Sequence, residues 1–306
     1  MHQLALSSYP FLLIQITVPY RKDDRYCLNK QLRELDQEEM DFKFMAHVGD
    51  IKYGKSPCYE SSFKDITEIF SHPSNALNYD TRDCFFVPGD NEYNDCQDID
   101  QAWQWWMQHF GNGNFTNENG FGTLSDPNIT VDYQLEHGNY SSSAGNFAFF
   151  TDSVLFMGLN QVGGGLVGDE STRVANNYQW VEENIARHNN TDLRAIVVFA
   201  HATMTSQRRR YFGDPFMRLL REEYPNITAI YVHGDGHNFQ TNQPDPNNPN
   251  LTDLEVDGGD EADPLLISVM HDIEEDMFSF NIDVRGGYYD LGCQAGNVDK
   301  TWSSNY

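Results

Sequence analysis

The strongest constraint in this 306-residue sequence is an alternation of two apolar patterns. Residues 42–48, 84–87, 195–200 and 227–232 are runs of β-branched and aromatic residues of strand length. Between them, Leu28/Leu32/Leu35, Ile99/Trp103/Trp106/Phe110 and Val174/Tyr178/Val181/Ile185 recur at spacings of three and four, which puts each set on one helical face. Asp98, three residues ahead of Gln101, reads as an N-cap with its box partner. Strand alternating with helix over this length predicts a largely parallel sheet with helices outside it. Residues 9–18 read as a first strand. Beyond residue 264 the consecutive runs 265–270 and 277–284 predict a second, more antiparallel β layer, with 147–150 and 154–159 pairing nearby. Residues 242–263, crowded with Pro, Asn, Gly and Asp, read as a loop. No internal repeat divides the chain, and residues 1–306 are taken as a single domain.

Polar residues of metal-ligand type follow four of these strands. Gly49-Asp50 comes after the first, Gly89-Asp90-Asn91-Glu92 after the second, His201 after the third and His233-Gly234-Asp235-Gly236-His237 after the fourth. In an open parallel sheet the carboxyl ends of the strands share one edge, so such loops deliver side chains into one crevice. Carboxylate, amide and imidazole groups without thiolate suit Fe, Mn or Zn. Taken singly, a Gly-Asp after a strand is a turn and a strand-end His is a structural histidine. Their matched positions carry the reading. Lys52 is a candidate phosphate contact, against the blander reading of a solvated lysine. The Arg208-Arg209-Arg210 run reads as a solvated helix face, with attraction of phosphate at the rim as the alternative. The acidic residues Asp253, Asp257, Asp260, Glu261 and Asp263 lack EF-hand spacing and read as a solvated loop. No G-x-S-x-G or phosphate-binding glycine pattern is present, and Gly163-Gly164-Gly165 is read as shaping a loop near the cleft.

Charge and composition exclude several partners. A net charge of −26 repels nucleic acid and anionic lipid, and no apolar run approaches the ~18 residues of a membrane span. The five cysteines contain no C-x-x-C, which disfavours a zinc finger and leaves room for one or two disulfides. Sequons at Asn114, Asn128, Asn139, Asn189, Asn226 and Asn250 point to a secreted glycoprotein or one of the secretory pathway. The first residues carry no basic n-region or small-residue cleavage site, so this reading expects a targeting segment that the start does not supply.

Taken as a set, the four strand-end clusters resemble the calcineurin-like metallophosphoesterase superfamily. The nearest likeness is to a branch with G-D-I-K at 49–52, P-G-D-N-E at 88–92 followed by Asp95-Cys96, and V-H-G-D-x-H at 232–237. It extends through Phe156-Met157-Gly158-Leu159-Asn160 and Met277-Phe278-Ser279-Phe280. The resemblance implies an α/β fold, a four-layer α/β/β/α sandwich of two mixed sheets flanked by helices. It also implies two divalent or mixed-valence metal ions (Fe, Mn or Zn) that support hydrolysis of a phosphate-ester substrate.

Position by position, the resemblance makes Asp50 the bridging carboxylate and His201 a ligand of the second metal. Asp90 stands at the family's Asn ligand, Asn91 at its catalytic His, Asp235 at the first His of G-H-x-H and His237 at the last. Asn91, His201 and His237 are the expected catalytic groups, and Lys52 and His233 the expected substrate contacts. Asp50-x-x-Tyr53 and Val198-x-x-His201 are similar to purple acid phosphatase elements, in which the Tyr ligates ferric iron. Family members open on a strand ending in Asp, in this branch G-D-x-P-Y, where this chain has Ile16-Thr17-Val18-Pro19-Tyr20. Thr17, a neutral hydroxyl, is a poor ligand for a hard dication. Two readings follow: an impaired enzyme, or misassigned first residues. The alternative function is a catalytically impaired secreted glycoprotein of this fold that acts by binding.

Overall fold

Which way each side chain faces along a few short strands decides the layering. The computed structural model describes residues 6–14, 28, 32, 42–54, 56–73, 79–111, 120–134, 145–164, 170–189, 191–258 and 264–284. In the first sheet, β1 (Leu6–Ile14), β2 (Met45–His47) and β3 (Cys84–Phe86) run parallel. β11 (Leu265–Asp272) pairs antiparallel with β1, and β12 (Met277–Asp283) antiparallel with β11. In the second sheet, β4 (Val131–Tyr133), β5 (Phe147–Thr151) and β6 (Val154–Gly158) form an antiparallel meander. Parallel β7 (Ala195–Phe199), β8 (Thr228–His233) and β10 (Leu251–Glu255) continue it, with antiparallel β9 (Gln240–Asn242) at the edge.

Period-two alternation sends successive residues to opposite faces. Ala46 and Phe85 of the first sheet therefore meet Phe149, Phe156, Val197, Phe199, Ile230 and Val232 of the second in a buried cluster between the sheets. Phe44, just ahead of β2, packs edge-on against Phe85, Phe149, Phe156 and Phe199 at centroid distances of 5.0–6.1 Å. On the outer face of the first sheet, Met45, Cys84 and Phe86 pack with α1 (Glu60–Phe70) and α2 (Ile99–His109). On the outer face of the second, Ile196, Val198 and Tyr231 pack with α3 (Glu170–His188) and α4 (Asp214–Glu223). The described residues thus stack as helices, sheet, sheet, helices.

The periodicity of α2 and its cap agree with the sequence: Asp98 Oδ1 accepts a 3.0 Å hydrogen bond from the Gln101 backbone N–H. Three expectations are corrected. The run 42–48 is a strand only at Met45–His47. The run after 264 extends the first sheet rather than building a separate layer, because β11 takes the free edge of β1. The stretch 242–263, read as a loop, contains β10, a largely buried strand in register with β8. Its Asp253 and Glu255 are buried carboxylates, which masked the apolar alternation on which strand reading depends. The helices α1 and α4 fall outside the periodic stretches read from the sequence.

Cys58 and Cys96 form a disulfide that ties the segment after β2 to the segment after β3. Cys84 is a buried thiol of β3. Cys27 and Cys293 lie outside the described residues. No described helix is long and apolar enough to cross a membrane.

Phe44 is the test of the inter-sheet core. Phe44→Ala is expected to lower unfolding stability by about 3–5 kcal/mol, the usual cost of removing a buried aromatic ring. Urea denaturation followed by near-UV circular dichroism measures it, and a loss under about 1 kcal/mol would show that the ring is not wedged between the sheets.

Candidate metal centre

The loop after β2 turns abruptly. Gly49 and Asp50 both take left-handed backbone conformations, with φ of +91° and +63°. A Cβ on Gly49 would lie 2.7 Å from His201 Nδ1 and 2.8 Å from the Gly89 backbone, so only glycine fits. Gly89, in the loop after β3, is equally confined: a Cβ there would come within 2.5 Å of Asp50 Oδ1. Two glycines side by side therefore let these loops touch.

Glu92 fastens them. Its carboxylate accepts hydrogen bonds from the backbone N–H groups of Asp50 (3.1 Å), Ile51 (3.2 Å) and Gly89 (2.6 Å). Burial, with the Asp50 charge beside it, pushes the Glu92 carboxyl up to about 7. Lys52 is buried too, and its ammonium donates to the carbonyls of Tyr53 (3.0 Å) and Asn91 (2.6 Å). Burial holds its pKa below that of an ordinary lysine.

From the second sheet, His201 projects at the end of β7. Its Nδ1 lies 2.8 Å from the Val48 carbonyl, which can only accept, so Nδ1 carries a hydrogen and donates it there, which turns Nε2 toward the carboxylates. That Nε2 faces Asp90 Oδ1 at 3.0 Å, Asp50 Oδ1 at 3.3 Å and Asp235 Oδ1 at 3.6 Å. The His201 carbonyl accepts from the backbone N–H groups of Gly234 and Asp235, which hangs the loop after β8 beside it. In that loop His237, at φ +55°, places Nε2 3.2 Å from Asp50 Oδ2. Asp50 thus faces His201 with one oxygen and His237 with the other.

The electrostatics agree with the geometry. Burial alone would lower His201, but the charges of Asp50 and Asp90 and the bonds to Asp235 and Asp90 raise it well above an ordinary imidazole. Burial alone would raise Asp90, yet His201 holds it below the usual carboxylate range. His237 is raised by its hydrogen bond to Asp50. Each shift says that the cluster calls for positive charge at its centre.

Asp50, Asp90, His201, Asp235 and His237 are therefore brought together, and Asp50, Asp90 and His201 alone meet the distances of a metal-ligand group. The strands that deliver them are divided between the sheets, β2 and β3 in one and β7 and β8 in the other. The cleft lies at the seam of two sheets, not along the edge of one as expected. Asn91 reaches the cluster through its backbone N–H, which donates to Asp50 Oδ1 at 3.3 Å, while its side chain lies against Gly54. Tyr53 is 41% exposed. His233 is set apart, buried on the Tyr231 face of β8 with Nε2 3.4 Å from Asp253 Oδ2. Thr17 lies outside the described residues.

Sequence reasoning gave Glu92 no role, although it stood within the G-D-N-E run. It also treated the arginine run as one unit. Arg208 is buried, donating to the carbonyls of Gly163 (2.9 Å) and Gly164 (3.2 Å) and pairing with Glu170 at 3.0 Å. It thereby holds the glycine loop against Asp90 and Asp235, whereas Arg209 and Arg210 are exposed.

A two-sheet α/β protein whose strand ends converge on carboxylates and an oriented imidazole has the arrangement of a metal site. The sequence model of the calcineurin-like phosphoesterases matches residues 17–239, and the chain belongs to that family. Metal-dependent phosphoester hydrolysis is the chemistry of its class. No curated protein matches the sequence. Among solved structures, GAP50, described as the anchor in the inner membrane complex of Plasmodium, is 10% identical over 92% of this chain and 86% of its own, with a TM-score of 0.48. The 5'-nucleotidase of Candida albicans SC5314 is 12% identical over 91% of this chain, with a TM-score of 0.45, and the match spans 51% of the nucleotidase chain. A phosphatase of Mycoplasma pneumoniae is 7% identical over 90% of this chain and 93% of its own, with a TM-score of 0.36.

The Glu92 clamp generates a direct expectation. Glu92→Ala leaves three buried backbone N–H groups without an acceptor, and at roughly 1–3 kcal/mol each it should lower stability by about 3 kcal/mol or more. Glu92→Gln, which keeps one acceptor oxygen, should lose less. Chemical denaturation of both variants measures this, and an alanine variant as stable as the parent would disprove the clamp.

Proposed function

We propose that this chain hydrolyses phosphate esters at a dinuclear metal centre. The observation that carries the reading is the convergence of carboxylates: Asp50 Oδ1, Asp90 Oδ1 and Asp235 Oδ1 surround His201 Nε2, while His201 Nδ1 is held by the Val48 carbonyl. Oxygens gathered this closely call for positive charge among them, which a protonated His201 or a metal ion supplies, and the donor set fits Fe, Mn or Zn. Asp50, Asp90 and His201 would hold one ion, with Asp235 beside them, 3.6 Å from His201 Nε2. Asp50, through its second oxygen, and His237 would hold the other. When bound, the ions acidify water toward a pKa of about 7 and offset charge on the phosphoryl oxygens. The residues do the rest: Val48 fixes the orientation of the His201 ring, Glu92 holds the two carboxylate loops in register, and Arg208 holds Gly163 against Asp90 and Asp235. Lys52, engaged by two carbonyls, orients the Asn91 turn and would meet phosphate only by leaving one of them.

A second reading, a phosphoesterase fold that acts by binding, is favoured by two positions. Asn91 has an amide where a proton donor is expected, and Thr17 a hydroxyl where a carboxylate is expected. One experiment separates the readings: metal content and p-nitrophenyl phosphate hydrolysis of the parent, Asp50→Asn and Thr17→Asp chains. The hydrolase reading expects Asp50→Asn to lose bound metal and at least about 100-fold in rate, the upper end of what an outer-shell partner of a metal is worth. It expects a large gain for Thr17→Asp. Absent hydrolysis in both the parent and Thr17→Asp would leave the binding reading.

We further propose that residues 1–306 form one domain, a reading supported by the pairing of β1 near the start with β11 near the end. Secretion and glycosylation are supported by the Cys58–Cys96 disulfide and by exposed sequons at Asn128, Asn189 and Asn226. Asn250 is half-buried, its amide donating to the Pro225 carbonyl, and Asn114 and Asn139 lie outside the described residues. Expression through a eukaryotic secretory pathway should give a chain whose mass falls on treatment with an N-glycosidase. An unchanged mass would refute glycosylation.

A further inference from the structure

The residue after His201 is gripped at both ends of its backbone. The Ala202 N–H donates to the Gln161 carbonyl at 2.9 Å, and the Ala202 carbonyl accepts from the Tyr231 hydroxyl at 2.7 Å. That hydroxyl is met in turn by the Gln161 side-chain amide at 2.5 Å. The directions of these bonds are forced. A carbonyl can only accept and a phenol has one hydrogen, so Tyr231 gives its hydrogen to Ala202 and receives one from Gln161 Nε2. Gln161 Oε1, though buried, then finds no partner among the described residues. An unpaired buried oxygen costs free energy, so the amide is oriented by its bond to Tyr231. Tyr231 is fully buried, which raises its hydroxyl well above an ordinary phenol and keeps it a donor. The peptide between His201 and Ala202 is thus fixed from two sides, its N–H by Gln161 and its carbonyl by the backbone N–H groups of Gly234 and Asp235. Gln161 also stands two residues ahead of Gly163, where a Cβ would lie 2.3 Å from Asp235 Oδ1 and 2.8 Å from Asp90 Oδ1. One residue therefore ties the backbone beside His201 to the backbone beside the carboxylates.

We propose that Tyr231, with Gln161 behind it, is a positioning residue of this site: its hydroxyl fixes the backbone at Ala202 and, through it, the direction in which His201 presents Nε2. The consequence at His201 rests on geometry alone, and the consequence for rate rests on the hydrolase reading. Tyr231→Phe isolates the hydroxyl, because the ring keeps its packing against Phe212 at a centroid distance of 5.8 Å. Gln161→Met, of similar length, removes the donor to that hydroxyl and leaves the ring in place.

The test compares the full-length parent, Tyr231→Phe and Gln161→Met, each shown by circular dichroism to be folded at the temperature used. The first readout needs neither metal nor substrate. In isotope-labelled chain, nuclear magnetic resonance follows the ring N–H that His201 donates to Val48. Tyr231→Phe should displace that signal and speed its exchange with water about tenfold relative to the backbone N–H groups between β1 and β11, the scale of one buried hydrogen bond lost locally. Exchange quickened equally at both places is a loss of overall stability and overturns the inference, as does an unmoved signal. The second readout is p-nitrophenyl phosphate hydrolysis with metal in excess. Here kcat should fall about tenfold with KM changed less than about twofold, the lower end of what a partner behind a metal ligand is worth. An unchanged kcat in a parent that hydrolyses overturns the inference. A parent that hydrolyses nothing ends the hydrolase reading instead, and the His201 signal then decides alone. Gln161→Met should act in the same direction, and serves in place of Tyr231→Phe should that variant fail to fold. Because both residues act through one chain of bonds, the double variant should lose no more than Tyr231→Phe alone, and additive losses overturn the role of Gln161.

Discussion

One hydrogen bond passes from sheet to sheet at the place where the chemistry is assembled. His201 ends a strand of the second sheet, and its Nδ1 donates to Val48, which follows a strand of the first. That bond fixes the orientation of the ring and turns Nε2 toward Asp50 and Asp90, and a carbonyl that accepts from the far nitrogen in this way sets the orientation and basicity of a histidine that binds metal. It also fixes the distance between the strand ends of the two sheets. The apolar face beneath, centred on Phe44, supplies the separation at which the bond can form. Packing and ligand geometry are thus one constraint.

The site gathers features that an ordinary loop would avoid. Asp50 and His237 are non-glycine residues with positive φ, a conformation that costs free energy and persists only where the surroundings over-determine it. Here they do. Asp50 is held by Glu92 at its backbone and by His201 and His237 at its carboxylate. Glu92 is a buried carboxylate, yet three backbone donors answer it. The Cys58–Cys96 bridge closes the same pair of loops from outside, with both sulfurs 3.8 Å from the Asn91 carbonyl. These devices tie the two carboxylate loops to each other at the backbone, which is the kind of support a metal site needs.

Much of this was legible in the sequence, and the reason is positional. Strand runs followed at once by Gly-Asp or His gave the locations of Asp50, Asp90, His201, Asp235 and His237, because strand ends and ligands are local properties. What eluded reading was relational. No local pattern says that the four strands divide between two sheets, since pairing partners are set by packing of distant segments. β10 was hidden because Asp253 and Glu255 occupy buried positions through polar contacts with His233 and Gln240. Arg208 looked like its solvated neighbours because its partners, Glu170 and the carbonyls of Gly163 and Gly164, lie 38 to 45 residues away in sequence.

The acidity of the chain and its affinity for phosphate esters are reconciled only at short range. A net charge of −26 opposes an approaching anion, but salt screens that field beyond about 8 Å. Inside that radius the balance is set by the cluster itself, where three carboxylates face one imidazole nitrogen. Without cations such a cluster repels phosphate and destabilises its own loops, because carboxylates in a partly buried space repel one another. With two dications present, the sign of the local field reverses and the same carboxylates become the reason the ions stay. On the proposed reading, metal binding and phosphate affinity would therefore be linked quantities.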